Sequence, residues 1–150
     1  MLDYRLLRAD ETDAAAMLHR EVGVLIPGYD MSIHTPDEHR AFYRNEVFPA
    51  GSIWAAFDGD LLVGFIALKP GWIDHLYVLP ARHGKGIGRA LIAIAQREQD
   101  DLQLHTFQSN ARARRIYERA GFAAEEFGDG SGNEEGMPDV RYRWQRPLFD

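Results

Sequence analysis

A chain of 150 residues that is 45% hydrophobic and 27% charged has the size and make-up of one globular domain with a packed core, so residues 1–150 read as a single domain. Its 17 Lys and Arg stand against 23 Asp and Glu, and the net charge of −6 disfavours nucleic-acid backbones and anionic membranes while favouring cationic partners. It has no cysteine, which excludes a disulfide framework, thiolate zinc sites and a cysteine nucleophile.

The first residues, MLDYRLLRADETD, carry charge from Asp3 onward, and no later stretch approaches about eighteen consecutive apolar residues. A soluble, cytoplasmic protein is expected. Residues 4–8 alternate loosely and predict a first strand. Asp10 is placed to cap a helix running to about Val22, with Asp13 at the reciprocal capping position. After a loop, Thr35-Pro36-Asp37-Glu38 predicts a second helix to about Val47, because Thr caps, Pro suits the first helical position and Glu38 reaches back to the cap amide.

Ile53–Phe57 and Leu61–Leu68 are β-rich runs around Asp58-Gly59-Asp60, which predicts a hairpin, and Trp72–Leu79 extends the sheet. Strict alternation would put Trp72, Asp74, Leu76 and Val78 on one face of that strand, with Ile73, His75 and Tyr77 on the other. Ile87, Leu91, Ile94 and Ala95 fall at helical spacing and predict a third helix from Gly86 to Gln99. A short strand, Leu102–Phe107, precedes a fourth helix bearing Asn110, Ala113, Tyr117 and Ala120 on one face, ended by Gly121 in a left-handed conformation. Phe122–Phe127 and Val140–Trp144 are the last strands, separated by a loop rich in Gly, Asp and Glu. This mixed order predicts an α/β (α+β) sheet with helices on both faces.

The sequence around His83-Gly84-Lys85-Gly86-Ile87-Gly88 is a strand, a turn of closely spaced glycines and an amphipathic helix. Such a turn frees the backbone to approach a ligand and offers unpaired amides and the positive end of a helix dipole, an arrangement suited to an anion; Lys85 and Arg89 add charge. A tight turn with solvated basic side chains is the plainer alternative. No Walker loop is present, and a dinucleotide fingerprint would require glycine at Leu91.

The turn resembles the Gln/Arg-x-x-Gly-x-Gly/Ala signature of the GNAT superfamily of acyl-CoA-dependent N-acyltransferases, with His83 where Gln or Arg is usual. Downstream, Asn110-x-x-Ala113-x-x-x-Tyr117-x-x-x-Gly121-Phe122 is similar to the second coenzyme-binding segment of that family. The resemblance implies a mixed, twisted, mainly antiparallel sheet of about seven strands with about four helices on both faces, splayed between strands 4 and 5. It also implies acetyl-CoA as cosubstrate, transfer to a primary amine of a small molecule, amino acid or peptide by direct attack, no metal, and a possible homodimer.

Carried over residue by residue, the resemblance assigns coenzyme binding to His83, Gly84, Lys85, Gly86, Ile87, Gly88, Arg89, Asn110, Tyr117 and the backbone of Leu76 and Val78. Leu76 would polarise the carbonyl through its amide, and Tyr117 would protonate the leaving thiolate. Asn110 and Tyr117, seven residues apart, share a helical face about 10 Å apart. Taken alone, Tyr117 also reads as a core aromatic and Asn110 as a helix cap.

The family's Glu base position falls on Trp72. Asp74, two residues on, is the candidate base, with a structural ion pair as its alternative. His75 has the better intrinsic pKa on the opposite face. Tyr29, Asp30, Glu134 and Glu135 are candidates for meeting a cationic acceptor, and His19, His34, His39 and His105 read as surface or packing residues. A non-catalytic acyl-CoA sensor that keeps the coenzyme grip is the competing reading.

Overall fold

The computed structural model describes residues 1–148. Strand β1 (Leu2–Leu6) ends earlier than the alternation predicts, because Glu11 turns back to accept the Arg8 amide at 2.8 Å and bends the chain into a 3₁₀ turn, Ala9–Glu11. Helix α1 (Thr12–Gly23) follows that turn. Asp10 and Asp13 therefore do not form the expected cap pair: Asp10 meets Arg8, and Asp13 lies 3.5 Å from Arg44.

Helix α2 (Pro36–Phe42) begins as predicted, with Thr35 Oγ1 accepting the Glu38 amide at 3.1 Å and Glu38 accepting the Thr35 amide at 2.7 Å. The chain continues through a π-helical turn, Tyr43–Val47, and a last turn, Phe48–Ala50. Pro49 explains the widening, since it has no N–H and its ring crowds the carbonyl four residues back. The hairpin β2 (Ser52–Asp58) and β3 (Leu61–Lys69) leads into β4 (Trp72–Val78), then α3 (Ile87–Glu98), β5 (Asp101–Phe107), α4 (Ala111–Arg119), β6 (Ala123–Gly128) and β7 (Asp139–Gln145). Gly121, at φ +96°, ends α4 as expected.

The sheet order is β1-β2-β3-β4-β5-β7-β6, antiparallel throughout except for β4 and β5. That parallel pair is registered only at Trp72 and Gln103, where the Gln103 amide reaches Gly71 O at 2.9 Å. Beyond this point the two strands diverge and leave a wedge. Gln99 closes the narrow end by accepting the Gly71 amide and donating to Lys69 O.

Both faces of the sheet are covered, which is why β3 reads as a continuous apolar run. Val63, Ile66 and Leu68 pack with Leu91, Ile92, Tyr117 and Tyr142 on one side; Phe65 and Ala67 pack with Ala15, Leu18 and Tyr43 on the other.

A bulge interrupts β3–β4 pairing: Ala67 faces His75 while Leu68 faces Ile73, so Asp74 is the extra residue. The predicted alternation fails here for that reason. Ile73 packs in the same cluster as Leu76 and Val78, while Tyr77 packs on the α1–α2 side.

Candidate active site

The wedge opens into two clefts. One, about 490 Å³, lies against the glycine turn; the other, about 580 Å³, lies under the loop between β6 and β7. They meet at Ile26, Leu76, Tyr77, Asn110, Ala113 and Tyr117.

In the glycine turn Gly84 and Gly86 stand at φ +78° and +82°, a region that other residues enter only with strain. A Cβ added at either would meet nothing within 4 Å, so this backbone is open to a ligand. Gly86 has no side chain to cap α3, leaving the amides of its first turn, from Ile87 to Arg89, for an external acceptor. His83, Gly84, Gly86, Ile87, Gly88 and Arg89 line this cleft; Lys85 is exposed and does not. His83 donates from Nε2 to the Val78 carbonyl at 2.8 Å, so it braces the end of β4.

Leu79 N–H bonds Val63 O at 2.9 Å. With the alternation of an antiparallel ladder, this turns the backbone groups of Leu76 and Val78 away from β3 and into the wedge. Asn110 caps α4 by accepting the Ala113 amide at 3.2 Å, and it faces both clefts.

One helical turn beyond Ala113, Tyr117 is 6% exposed, with its ring against Phe122 and Tyr142. Its hydroxyl has no hydrogen-bond partner among the described residues, and burial raises its pKa, so the phenol keeps its proton. A protonated, unpartnered hydroxyl at the junction is poised to donate.

The two clefts differ in charge. Arg82, Arg89, Arg112 and Arg119 line the glycine side, Arg82 being paired with Asp58 at 2.9 Å. Asp74, Glu126, Asp129, Glu135 and Asp139 line the other, with Arg141 as the one Arg or Lys there among the described residues.

Of the proposed acceptor contacts, Tyr29 and Glu135 line the acidic cleft; Tyr29 packs against Phe107, and burial followed by Glu135 and Glu134 raises its pKa. Asp30 and Glu134 do not line it. Asp30 is consumed in a local turn, accepting the Ser32 amide and hydroxyl at 2.9 and 2.6 Å, and Glu134 meets His34 Nε2 at 2.5 Å.

Asp74 lies in the acidic cleft with its carboxylate 3.3 Å from Lys69 Nζ, the structural partner that was its alternative reading. Trp72 stacks on His105 at 5.3 Å near the closed end of the wedge.

Three of the histidines read as surface or packing residues divide between the core and the cleft. His19 and His39 are buried, and His19 and His105 line the acidic cleft. Sequence reasoning also missed Glu126, Asp129 and Asp139 as lining residues; the only signal was the density of acids between Glu125 and Asp139. Among the described residues, no group of three or more His, Asp or Glu could hold a metal ion, and no helix is long and apolar enough to cross a membrane.

Comparison with known proteins finds an acetyltransferase (GNAT) domain over residues 49–124. The chain is 33% identical over 120 residues to a mycothiol acetyltransferase of Frankia casuarinae, covering 66% of this chain and 31% of that protein. It is 30% identical over 96 residues to the peptidyl-lysine N-acetyltransferase YjaB of Escherichia coli, covering 59% of this chain and 65% of that one. The chain thus spans less than two thirds of either relative. Among solved structures, the acetyltransferase yncA from Salmonella typhimurium with acetyl-CoA superposes with a TM-score of 0.76 at 16% identity, over 100% of this chain and 96% of that one.

Proposed function

The chain belongs to the GNAT acetyltransferase family, and on that premise we propose that it is an N-acetyltransferase moving the acetyl group of acetyl-CoA to a primary amine of a small molecule, an amino acid or a peptide. The observation that carries the reading is the meeting of a basic, glycine-walled cleft and an acidic cleft at Leu76, Asn110 and Tyr117. An anionic donor and a cationic acceptor can approach from opposite ends and react between them. The acetyl-CoA in the Salmonella structure and the lysine acceptor in the name of the Escherichia coli relative agree with this division.

The open amides from Gly84 to Arg89 receive a pyrophosphate, with the guanidinium of Arg89 beside them and Lys85 contributing only through its field. The inward-facing amide of Val78 and the Asn110 side chain orient the pantetheine arm. Acetyl-CoA supplies an activated thioester carbonyl. The Leu76 amide stabilises negative charge on that carbonyl oxygen as the amine adds, and Tyr117 hands its proton to the departing thiolate. Tyr29 and Glu135 hold the acceptor in the acidic cleft.

The test is release of free coenzyme A from acetyl-CoA against an amine panel, for wild type and Tyr117→Phe. Loss of the hydroxyl should lower kcat by about 10²- to 10⁴-fold, while coenzyme A still raises the melting temperature. Unchanged turnover in Tyr117→Phe would refute the acid assignment. Saturable acetyl-CoA binding without turnover on any amine would instead support a sensor.

A further inference from the structure

An ammonium acceptor must lose a proton before it can attack, and the roles assigned to Leu76, Asn110 and Tyr117 leave that step without a base. Asp74 is held by Lys69. The next residue is placed differently. His75 lies beyond the bulge, half-buried, and lines the acidic cleft together with Asp74, Leu76, Tyr77 and Tyr117.

Its surroundings are aromatic and close. The rings of His19, Tyr43, Phe42 and Tyr77 lie 5.5, 5.5, 6.0 and 6.1 Å away. The titratable groups around it are His19 from α1, His39 from α2, Tyr43 from the π-turn, Lys69 from β3, and Asp74 and Tyr77 from its own strand.

The two cleft-lining histidines of this cluster differ in what they have left to give. His19 Nδ1 is 2.6 Å from the Tyr43 hydroxyl, and its Nε2 is 3.2 Å from the Tyr77 hydroxyl. A neutral imidazole has one donor and one acceptor nitrogen, so these two bonds use His19 completely. His75 makes no side-chain hydrogen bond among the described residues, which leaves its accepting nitrogen available to the cleft.

We propose that His75 is the general base that takes the acceptor's proton, working against an aromatic wall that His19, clamped between Tyr43 and Tyr77, helps to form. The proposal rests on the transferase reading.

The protonation states agree. Desolvation holds His75 neutral, its pKa pushed down to about 4 against a smaller opposing pull from Asp74, while burial lowers His19 well below its usual value. Burial also raises Tyr43 and Tyr77, so the cluster is uncharged near neutrality. An ammonium brought against this wall is desolvated too, which weakens its hold on its own proton.

The step balances. One N–H proton of the ammonium passes to His75, and the freed electron pair forms the N–C bond to the acetyl carbon. Collapse breaks the C–S bond, Tyr117 protonates the sulfur, and the second proton lost from nitrogen restores the phenol. His75 returns its proton to solvent, giving the N-acetylamine, coenzyme A and one proton.

The test uses the intact protein with acetyl-CoA and any amine that wild type turns over. His75→Ala should lose about 10²- to 10⁴-fold in kcat, the range for a positioned base, with little change in KM for acetyl-CoA. Added imidazole should restore part of the rate, and methylated imidazoles of higher pKa should restore more. His75→Gln, closer in size, should lose activity similarly while keeping its coenzyme-dependent rise in melting temperature.

Full activity in either variant would overturn the assignment. So would loss without rescue in both, or a normal His75→Ala beside an inactive Asp74→Asn, which would put the base on Asp74. Wild type that binds acetyl-CoA but turns over no amine would refute the transferase reading itself, and the base with it.

Discussion

Gly86 and Gly88 stand two residues apart in one turn, yet substitution by alanine should shift stability in opposite directions. Gly86 is held at φ +82° with open space where a Cβ would stand. The cost of Gly86→Ala is therefore backbone strain without a clash, about 1–2 kcal/mol for an L-residue in the left-handed region. A stiffer unfolded chain offsets about 0.4–1 kcal/mol of that. The net loss is about 0–1.6 kcal/mol, or a fall in Tm of up to about 6 °C for a domain of this size. Gly88 lies inside α3 without a positive φ, and its added Cβ would sit 3.7 Å from Ile116 Cδ1 and 3.9 Å from Val78 Cγ2, ordinary contact distances. Gly88→Ala should gain about 0.4–1 kcal/mol and melt about 1–4 °C higher.

Thermal melting with and without coenzyme A checks both variants. The coenzyme-dependent rise should shrink in Gly86→Ala, where the new methyl enters the open side of the turn, and shrink less in Gly88→Ala, where it packs against Ile116 and Val78. A Tm raised in Gly86→Ala as far as in Gly88→Ala, or equal losses in the two variants, would refute the left-handed turn and the pyrophosphate site built on it.

Arg5 holds the Glu11 carboxyl down to about 2 from 4.5, through hydrogen bonds of 2.9 and 2.7 Å. At about 1.4 kcal/mol per pH unit the ceiling is about 3 kcal/mol, and screening at Arg5, whose side chain is 38% exposed, reduces it to about 1–2 kcal/mol. Because the folded value lies below the unfolded one, this stability is present above about pH 4.5 and disappears as pH falls through about 2. Denaturant titrations of wild type and Glu11→Gln should differ at pH 7 and converge in that window; a constant gap would contradict the linkage.

The His34–Glu134 bond ties the segment before α2 to the loop over the acidic cleft, and Glu134 raises the His34 pKa. That tie is fully present below pH 6.5 and weakens as pH rises through the raised value. Proteolysis within residues 129–138 should therefore accelerate with rising pH in wild type and lose that dependence in Glu134→Gln.

The features legible in the sequence were those set by neighbours along the chain. The Thr35–Glu38 cap, the hairpin at Asp58-Gly59-Asp60, the glycine turn before α3 and the Asn110 cap each rest on contacts within a few residues, so residue type and spacing define them. The Gly86 and Tyr117 assignments came from such spacing together with the family resemblance.

What escaped the sequence depends on distant partners. The bulge at Asp74 arises from the fit of β4 to β3, and one extra residue was enough to move Ile73 off the face that alternation gave it. Lys69 claims Asp74 through that same pairing. Only folding brings His19, Tyr43, His75 and Tyr77 together, from a helix, a π-turn and a strand.

By itself, then, the sequence determined the elements, the mixed sheet and the glycine turn, because local backbone preferences and periodic burial dictate those. Tertiary structure alone decided the division into a basic and an acidic cleft and the availability of His75, because charge and burial at a site are sums over side chains that the sequence holds far apart.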